Sequence, residues 1–131
     1  RWVAQGGFAG VGVVDPGLVL GKFAGLRDCP TWNFDGNVPA ARAALDSPRI
    51  GRRVLASKNV CHRVMYDQAL HRLVGRAAAA ASGPHARGLG MVHASMEHYL
   101  RRRREGKKFH DPLAFALCLD EGACALAEVE L

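Results

Sequence analysis

The chain has no long hydrophobic run and no targeting pattern. None of its 131 residues belongs to an apolar stretch of the roughly 18 residues that a membrane-spanning helix needs. A signal peptide, with a basic start, a short apolar core and a small-residue cleavage site, is also absent. We therefore expect neither a membrane span nor secretion, and we expect an intracellular, cytoplasmic protein, with an organelle left open.

The four cysteines lack the close spacing of a metal or redox motif. No C-x-x-C pair occurs among Cys29, Cys61, Cys118 and Cys124, whereas structural zinc sites usually contain such pairs. A hydrophobic content of 49% is enough for a core, so a disulfide framework is not needed to hold the chain together. We expect reduced thiols packed among apolar residues.

Acidic residues are outnumbered, and the excess positive charge is concentrated in one segment. Arg101–Lys108 contains six of the 18 lysines and arginines, in a chain whose formal net charge is +6. One interpretation is a solvated end of a helix expected over Met91–Arg104, where cations favour the helix dipole and Gly106 suits the stop. The other is a docking patch for RNA or an acidic protein. No aromatic residue for base stacking is interleaved with the cluster, which disfavours specific nucleic-acid recognition.

The order of apolar segments predicts an α/β protein. Strands are expected at Trp2–Ala4 and Arg53–Ser57, and helices at Pro39–Leu45 and Tyr66–Val74. The long glycine-rich connection after the first strand is expected to be an ordered loop, in which Asp15-Pro16-Gly17 forms a turn. Strands that alternate with helices favour parallel pairing, and ligands gather at the carboxyl ends of such strands.

Most histidines have a structural interpretation. His62 follows the second strand and is expected to hold a loop by hydrogen bonds. His71 and His85 are expected at the surface, while His93 and His98 share a helix with Tyr99.

A histidine and a carboxylate stand side by side before the last apolar helix. Pro112 suits the first helical position, which places Asp111 at the N-cap of a helix that runs through Leu113–Leu119. The simplest interpretation is a helix cap with an exposed histidine. An N-cap carboxylate nevertheless keeps an oxygen for a hard cation or a sugar hydroxyl, and a histidine such as His110 is suited to donate a proton near neutrality.

Four segments, in the same order, resemble the nucleoside hydrolase family, the inosine-uridine-preferring nucleoside N-ribohydrolases. Residues 110–114, His-Asp-Pro-Leu-Ala, resemble the family's C-terminal signature, and residues 5–8, Gln-Gly-Gly-Phe, resemble its Met-Gly-Gly strand end. Residues 31–34, Thr-Trp-Asn-Phe, resemble its Glu-Phe-Asn segment, and residues 58–62, Lys-Asn-Val-Cys-His, resemble its Asp-Val-Thr-His stretch. With a closing strand at Val129-Glu130, the resemblance spans nearly the whole chain but only the C-terminal half of the family's domain.

This resemblance implies a fold, an activity and a cofactor. Residues 1–131 would form a single partial domain, the C-terminal part of a nucleoside-hydrolase-like parallel-sheet domain with flanking helices. The implied activity is hydrolysis of the N-glycosidic bond of ribonucleosides to ribose and free base, in purine or pyrimidine salvage, through an oxocarbenium-like state. The implied cofactor is calcium, with Asp111 as one ligand. The family's aspartate-rich N-terminal motif, which supplies most calcium ligands and activates the water, does not occur here.

Individual roles follow from the same resemblance. His110 matches the histidine that protonates the leaving base, and Asp111 matches a calcium and ribose ligand, so these two are the implied catalytic residues. The residues implied to bind substrate are Gln5, Gly6, Gly7, Asn33, His98 and Tyr99.

Three positions depart from the family pattern. Gln5 replaces a methionine, Thr31 replaces a ribose-binding glutamate, and Asn59 replaces an aspartate. Loss of the glutamate removes negative charge that would stabilise a cationic sugar.

Two functions therefore stay open. The first is a nucleoside hydrolase that needs its N-terminal half or a companion chain, so that this chain alone is inactive. The second is a non-catalytic nucleoside-hydrolase-like subunit, structural or interacting, with the basic cluster as a contact surface. Both are compatible with a homo-oligomer or a larger assembly.

Overall fold

The computed structural model describes residues 1–130. Contacts divide the chain into two compact units, and each is described by itself. The first unit contains Arg1–Val64 together with the residues from His110 onward, and the second contains Met65–Phe109. The first unit is thus assembled from two separate stretches of sequence.

Strands and helices alternate along the chain. The strands are β1 (Trp2–Gln5), β2 (Arg53–Ala56), β3 (Met65–Tyr66) and β4 (Lys107–Lys108). The helices are α1 (Trp32–Asp35), α2 (Val38–Asp46), α3 (Lys58–Cys61), α4 (Gln68–Ala80), α5 (Gly83–Arg102) and α6 (His110–Leu119).

A pair of parallel strands lies at the centre of the first unit. β1 and β2 run in register from Trp2 opposite Arg53 to Gln5 opposite Ala56. Both runs are rich in apolar residues that fit a pleated surface, which is why the sequence indicated them as strands. The mixed α/β character and the parallel pairing expected from the sequence are both confirmed.

The core of the first unit forms where α6 and α3 pack on this sheet. Val54 and Ala56 of β2 are buried together with Cys61, Leu113 and Leu117. The two leucines are four residues apart, so they lie on one face of α6. Truncating either leucine to alanine would cost about 2–5 kcal/mol through lost burial and the cavity left behind.

The long connection after β1 is ordered, as expected. It contains two short 3₁₀ helices, Pro16–Leu18 and Gly21–Phe23. Asp15 Oδ1 accepts a hydrogen bond from the Gly17 N–H at 2.7 Å, which confirms the turn at this position. The Phe23 ring is buried and meets the Phe8 ring edge-on, with 5.3 Å between the ring centroids.

The second unit consists of two packed helices and a short antiparallel strand pair. Asp67 caps α4 because its Oδ1 accepts from the Leu70 N–H at 2.9 Å. Met65 and Tyr66 of β3 lie opposite Lys108 and Lys107 of β4. The buried residues between the elements are Tyr66, Met96 and Leu100, against which Leu70, Val74, Tyr99 and Phe109 pack.

Several sequence-based boundaries were wrong. Tyr66 does not begin a helix, because it pairs with Lys107 in β3 and Asp67 then caps α4. The helix expected from Met91 begins at Gly83, where Pro84 occupies the first turn. Residues 129–130 form no strand in the described part of the chain.

The expectation for the cysteines holds for one residue and fails for another. Cys61 is fully buried, whereas Cys118 is exposed because it follows Leu117 on α6 and so points away from the packed face.

The basic segment is solvent-exposed and includes the end of α5. Arg101 pairs with Glu97 at 2.8 Å one turn earlier, and Arg103 lies 3.8 Å from Glu105. Gly106 then reverses the chain at a φ of 92°, in the left-handed region that favours glycine. Across residues 1–130, no helix combines the length and apolar character that a bilayer crossing requires.

Candidate functional site

The two consecutive glycines after β1 are required by their surroundings. A Cβ at Gly6 would lie 2.7 Å from the Phe34 ring, and Gly7 has a φ of 77°. The Gly7 N–H donates to Thr31 Oγ1 at 3.2 Å, and the Gly7 carbonyl accepts from the Lys58 N–H at 2.9 Å. The carboxyl ends of β1 and β2 are thereby joined to the start of α1.

Asn33 and Gln5 form a pair of amides beside these glycines. Asn33 Nδ2 donates to the backbone oxygen of Gln5 at 3.0 Å and to its side-chain Oε1 at 2.6 Å. Asn33 is exposed and Gln5 is half-buried, so the pair lies at the rim of the unit. Four of the residues implied to bind substrate, Gln5, Gly6, Gly7 and Asn33, are therefore brought together.

Cys61 lies beneath the amide pair. Gln5 Nε2 is 3.5 Å from the Cys61 sulfur, which in turn donates to the Ala56 carbonyl at 3.1 Å. Burial raises the pKa of the Cys61 thiol, and the nearby Asp111 carboxylate adds to the rise. A neutral, buried thiol is a poor nucleophile, so the role of Cys61 is to support the Gln5 side chain.

Asn59 and Thr31 have structural roles at the same strand ends. Both are 7% exposed. Asn59 Oδ1 accepts from the Ala9 N–H at 2.8 Å, and its Nδ2 donates to the Ala9 carbonyl at 2.9 Å. Each side chain holds a backbone segment of the loop after β1, which explains why an amide and a hydroxyl suit these positions.

His110 stacks on His62. The two ring centroids are 5.3 Å apart with an interplanar angle of 6°. His62 Nδ1 also lies 2.6 Å from Lys22 Nζ, so His62 contacts the loop by hydrogen bonding as the sequence indicated. The His110 ring at the start of α6 therefore packs on the residue that follows α3.

Asp111 is not an N-cap. The last helix begins at His110, which places Asp111 in its first turn, where a carboxylate is favoured by the helix dipole. The side chain is exposed at this helix end.

The described residues do not fit a calcium ion by themselves. Calcium takes six to eight oxygen ligands, and no group of three close carboxylate, histidine or cysteine side chains surrounds Asp111 within residues 1–130. Asp111 would supply one ligand only.

His98 and Tyr99 belong to the second unit. His98 is exposed on α5, and Tyr99 packs against the cluster of Tyr66, Met96 and Leu100. Lys107 Nζ lies 5.1 Å from the centroid of the Tyr99 ring. The described contacts of Tyr99 are thus within that unit.

A histidine cluster in the second unit was missed by the sequence interpretation. His71 is only 8% exposed, so its expected surface position was wrong. Its ring stacks on that of His93 at 4.1 Å between centroids, and Glu97 lies beside them. The four-residue spacing of His93 and Glu97 was a visible signal, but nothing in the sequence near His71 indicated that it joins them.

Comparison of the chain with protein-family models, with curated proteins and with solved structures gives no match.

Proposed function

We propose that the first unit is the sugar-binding part of a nucleoside-hydrolase-like enzyme that cleaves the N-glycosidic bond of ribonucleosides. The observation that carries the proposal is the amide pair of Asn33 and Gln5 beside Gly6 and Gly7, at the carboxyl ends of two parallel strands. Ligands collect at this edge of parallel sheets. The same positions carry the resemblance to the family's ribose-binding segments.

The amide pair is suited to a sugar diol. Asn33 and Gln5 together offer both donors and acceptors, and they lie at a rim that a small ligand can reach. A ribose hydroxyl could take the place of one side chain in the bond between Asn33 and Gln5. The Asn33 amide would keep its orientation, because its bond to the backbone oxygen of Gln5 would remain.

His110 and Asp111 would act at the helix end. His110 is held by the stacked ring of His62 and would donate a proton to the departing base, since loss of a base as an anion is difficult. Asp111 would accept a bond from a ribose hydroxyl or supply one oxygen to a calcium ion. No step proposed for this chain passes through calcium, because the described residues do not form its site.

The chain would then require further carboxylates. The Thr31 hydroxyl accepts from Gly7 and carries no charge, so it cannot stabilise a cationic sugar as a glutamate would. We expect the purified 131-residue chain to release no ribose from inosine or uridine, since nothing in it matches the family's water-activating aspartate. Chelator-sensitive release by this chain alone would contradict the expectation.

One observation favours a non-catalytic subunit instead. Trp32 is 93% exposed at the start of α1. Tryptophan is enriched where protein surfaces contact one another, so the start of α1 is suited to contact with another polypeptide. In that case the strand-end residues would serve assembly, and nucleosides would not bind.

Ribose binding separates the two functions. Titration of ribose into the ¹⁵N-labelled chain should shift the side-chain amide signals of Asn33 and Gln5 in NMR spectra, and deoxyribose should shift them less. Asn33→Ala should abolish the response, while Asn37→Ala, an exposed asparagine that caps α2, should retain it. Unchanged amide signals at high ribose concentration would contradict the proposed function and favour the subunit.

Asp111→Asn tests the helix end in an assembly that hydrolyses nucleosides. Asparagine is neutral but has nearly the same shape, so stability should change by well under about 1 kcal/mol. Turnover should fall by orders of magnitude if the carboxylate binds ribose or metal. Asp46→Asn, at the exposed end of α2, is the matched control. Equal turnover of both variants would show that Asp111 has only a structural role.

A further inference from the structure

We propose that His71, His93 and Glu97 form a site for a divalent transition metal of the zinc class. Each side chain offers one ligand atom, and these three atoms lie within 4.8 Å of one another. All three residues belong to the second unit. The proposal is therefore independent of the nucleoside hydrolysis proposed for the first unit.

The helices bring the three side chains together. His93 and Glu97 are four residues apart on α5, so they lie one turn apart on the same face. His71 lies on α4, one turn before Gly75. A Cβ at Gly75 would be 2.7 Å from His93 Nε2. Because Gly75 has no side chain, the His93 imidazole can pack directly against the backbone of α4.

Tyr66 orients His71 as metal-bound histidines are usually oriented. The buried Tyr66 hydroxyl is 3.2 Å from His71 Nδ1. When the hydroxyl accepts the Nδ1 proton, Nε2 keeps the lone pair that a metal requires. Metal-ligating histidines commonly donate their other ring nitrogen in this way, which fixes the tautomer and the ring orientation.

Glu97 supplies the negative charge of the cluster. Arg101 Nη2 donates a hydrogen bond to Glu97 Oε1 at 2.8 Å, and a glutamate carboxyl is ordinarily ionised near neutrality. Arg101 uses Oε1, and the second carboxylate oxygen remains to bind a metal. The arginine opposes a dication by repulsion, and a bound metal would compete with it for the carboxylate.

The ligand set favours zinc over calcium or magnesium. Two imidazoles and a carboxylate form a common zinc set, whereas calcium and magnesium prefer oxygen alone. In a tetrahedral zinc site the ligand atoms are about 3.3 Å apart, so each pair would have to close by at most about 1.5 Å from the 4.8 Å limit observed. The parallel rings of His71 and His93 would also tilt, because a metal lies in the plane of each imidazole.

A fourth coordination position would face a cavity. An open cavity of about 500 Å³ is adjacent to the cluster, and its lining includes Gln68, His71, Glu97, Leu100, Arg101 and Arg104. Zinc held by three protein ligands usually keeps such a position for water or substrate. The two arginines suit an anionic fourth ligand.

Metal titration of the complete 131-residue chain tests the proposal. Calorimetry should detect one Zn²⁺ per chain with micromolar or tighter affinity, and the same titration with Ca²⁺ should give no heat of binding. Co²⁺ should produce the visible absorption of a four- or five-coordinate nitrogen and oxygen site. Strong sulfur-to-cobalt absorption in the near ultraviolet would instead assign the ion to cysteine and overturn the proposal.

Ligand variants with matched controls identify the site. Glu97→Gln and His93→Gln should each weaken Zn²⁺ binding by at least about tenfold. The controls are Glu105→Gln and His85→Gln, which make the same chemical changes at exposed positions outside the cluster and should bind as the parent does. Glu97 is exposed, so its variant should fold, and circular dichroism checks this. Absence of stoichiometric binding, or equal affinity of Glu97→Gln and Glu105→Gln, would overturn the assignment.

Discussion

Replacing Asn59 by alanine is expected to detach the loop after β1 from the strand ends. The Asn59 amide donates to the Ala9 carbonyl at 2.9 Å and accepts from the Ala9 N–H at 2.8 Å. This is the same exchange of two hydrogen bonds that a residue in an adjacent antiparallel strand provides. Alanine removes both bonds and cannot replace either.

The expected loss of stability in Asn59→Ala follows from these contacts. Each hydrogen bond contributes about 1 kcal/mol net, and Ala9, which is half-buried, would keep two backbone groups with reduced solvation. The expected loss in the free energy of unfolding is about 2–4 kcal/mol. Asn59→Asp keeps the acceptor but places a carboxylate oxygen opposite the Ala9 carbonyl. We expect it to be destabilising as well.

Two measurements check this expectation. Denaturant unfolding gives the free-energy change, and hydrogen exchange reports the Ala9 amide directly, which should lose protection in both Asn59 variants. Asn37→Ala is the matched control, because this exposed asparagine makes a single capping bond to the Ala40 N–H at 3.1 Å and should cost about 1 kcal/mol. If Asn59→Ala costs no more than the control and Ala9 stays protected, the bonds do not hold the loop.

Two further substitutions test other parts of the fold. Gly106→Ala should destabilise the second unit by about 1–3 kcal/mol, because the φ is 92° and the new Cβ would lie 2.7 Å from the Tyr66 carbonyl oxygen; a thermal midpoint equal to that of the parent would contradict this. Glu121 bonds Arg52 at 2.5 Å and Arg1 at 3.1 Å, and the Arg52 hydrogen bond lowers the Glu121 pKa. The ionised Glu121 carboxylate therefore stabilises the folded state fully above the unfolded-state glutamate pKa of about 4.3. This contribution to the free energy of unfolding is lost as the pH falls below that value. The thermal midpoint of Glu121→Gln should accordingly fall less than that of the parent between about pH 5 and pH 3, and parallel pH curves would refute the assignment.

The regular elements of the first unit were predictable because their signals are local. β1 and β2 are short apolar runs, and their pairing follows from the helices that separate them. The α2 helix was expected from Pro39, and Asn37 caps it in the structure. By contrast, residues 129–130 have a strand-like composition but no described partner strand. A strand requires a neighbour, and sequence composition alone does not provide one.

The strand-end site was only partly predictable. Gly6 requires a glycine because of the Phe34 ring, and this contact spans 28 residues of sequence. The pairing of Asn33 with Gln5 and the burial of His71 likewise depend on tertiary packing. From the sequence alone, His71 near the start of α4 resembles a surface residue. It is buried only because α5 packs against that face of α4. Long-range contacts of this kind leave no periodic trace in the sequence.

The division of the first unit into two chain segments has a consequence for the order of folding during synthesis. The contacts of the second unit join residues between Met65 and Phe109, so all its partners are present once that stretch has left the ribosome. The strand pair of the first unit is completed by α6 and by Glu121, which bonds Arg1 and Arg52. The residues of the first segment must therefore wait until the whole second unit and α6 have been made, and their apolar surface stays exposed during that interval.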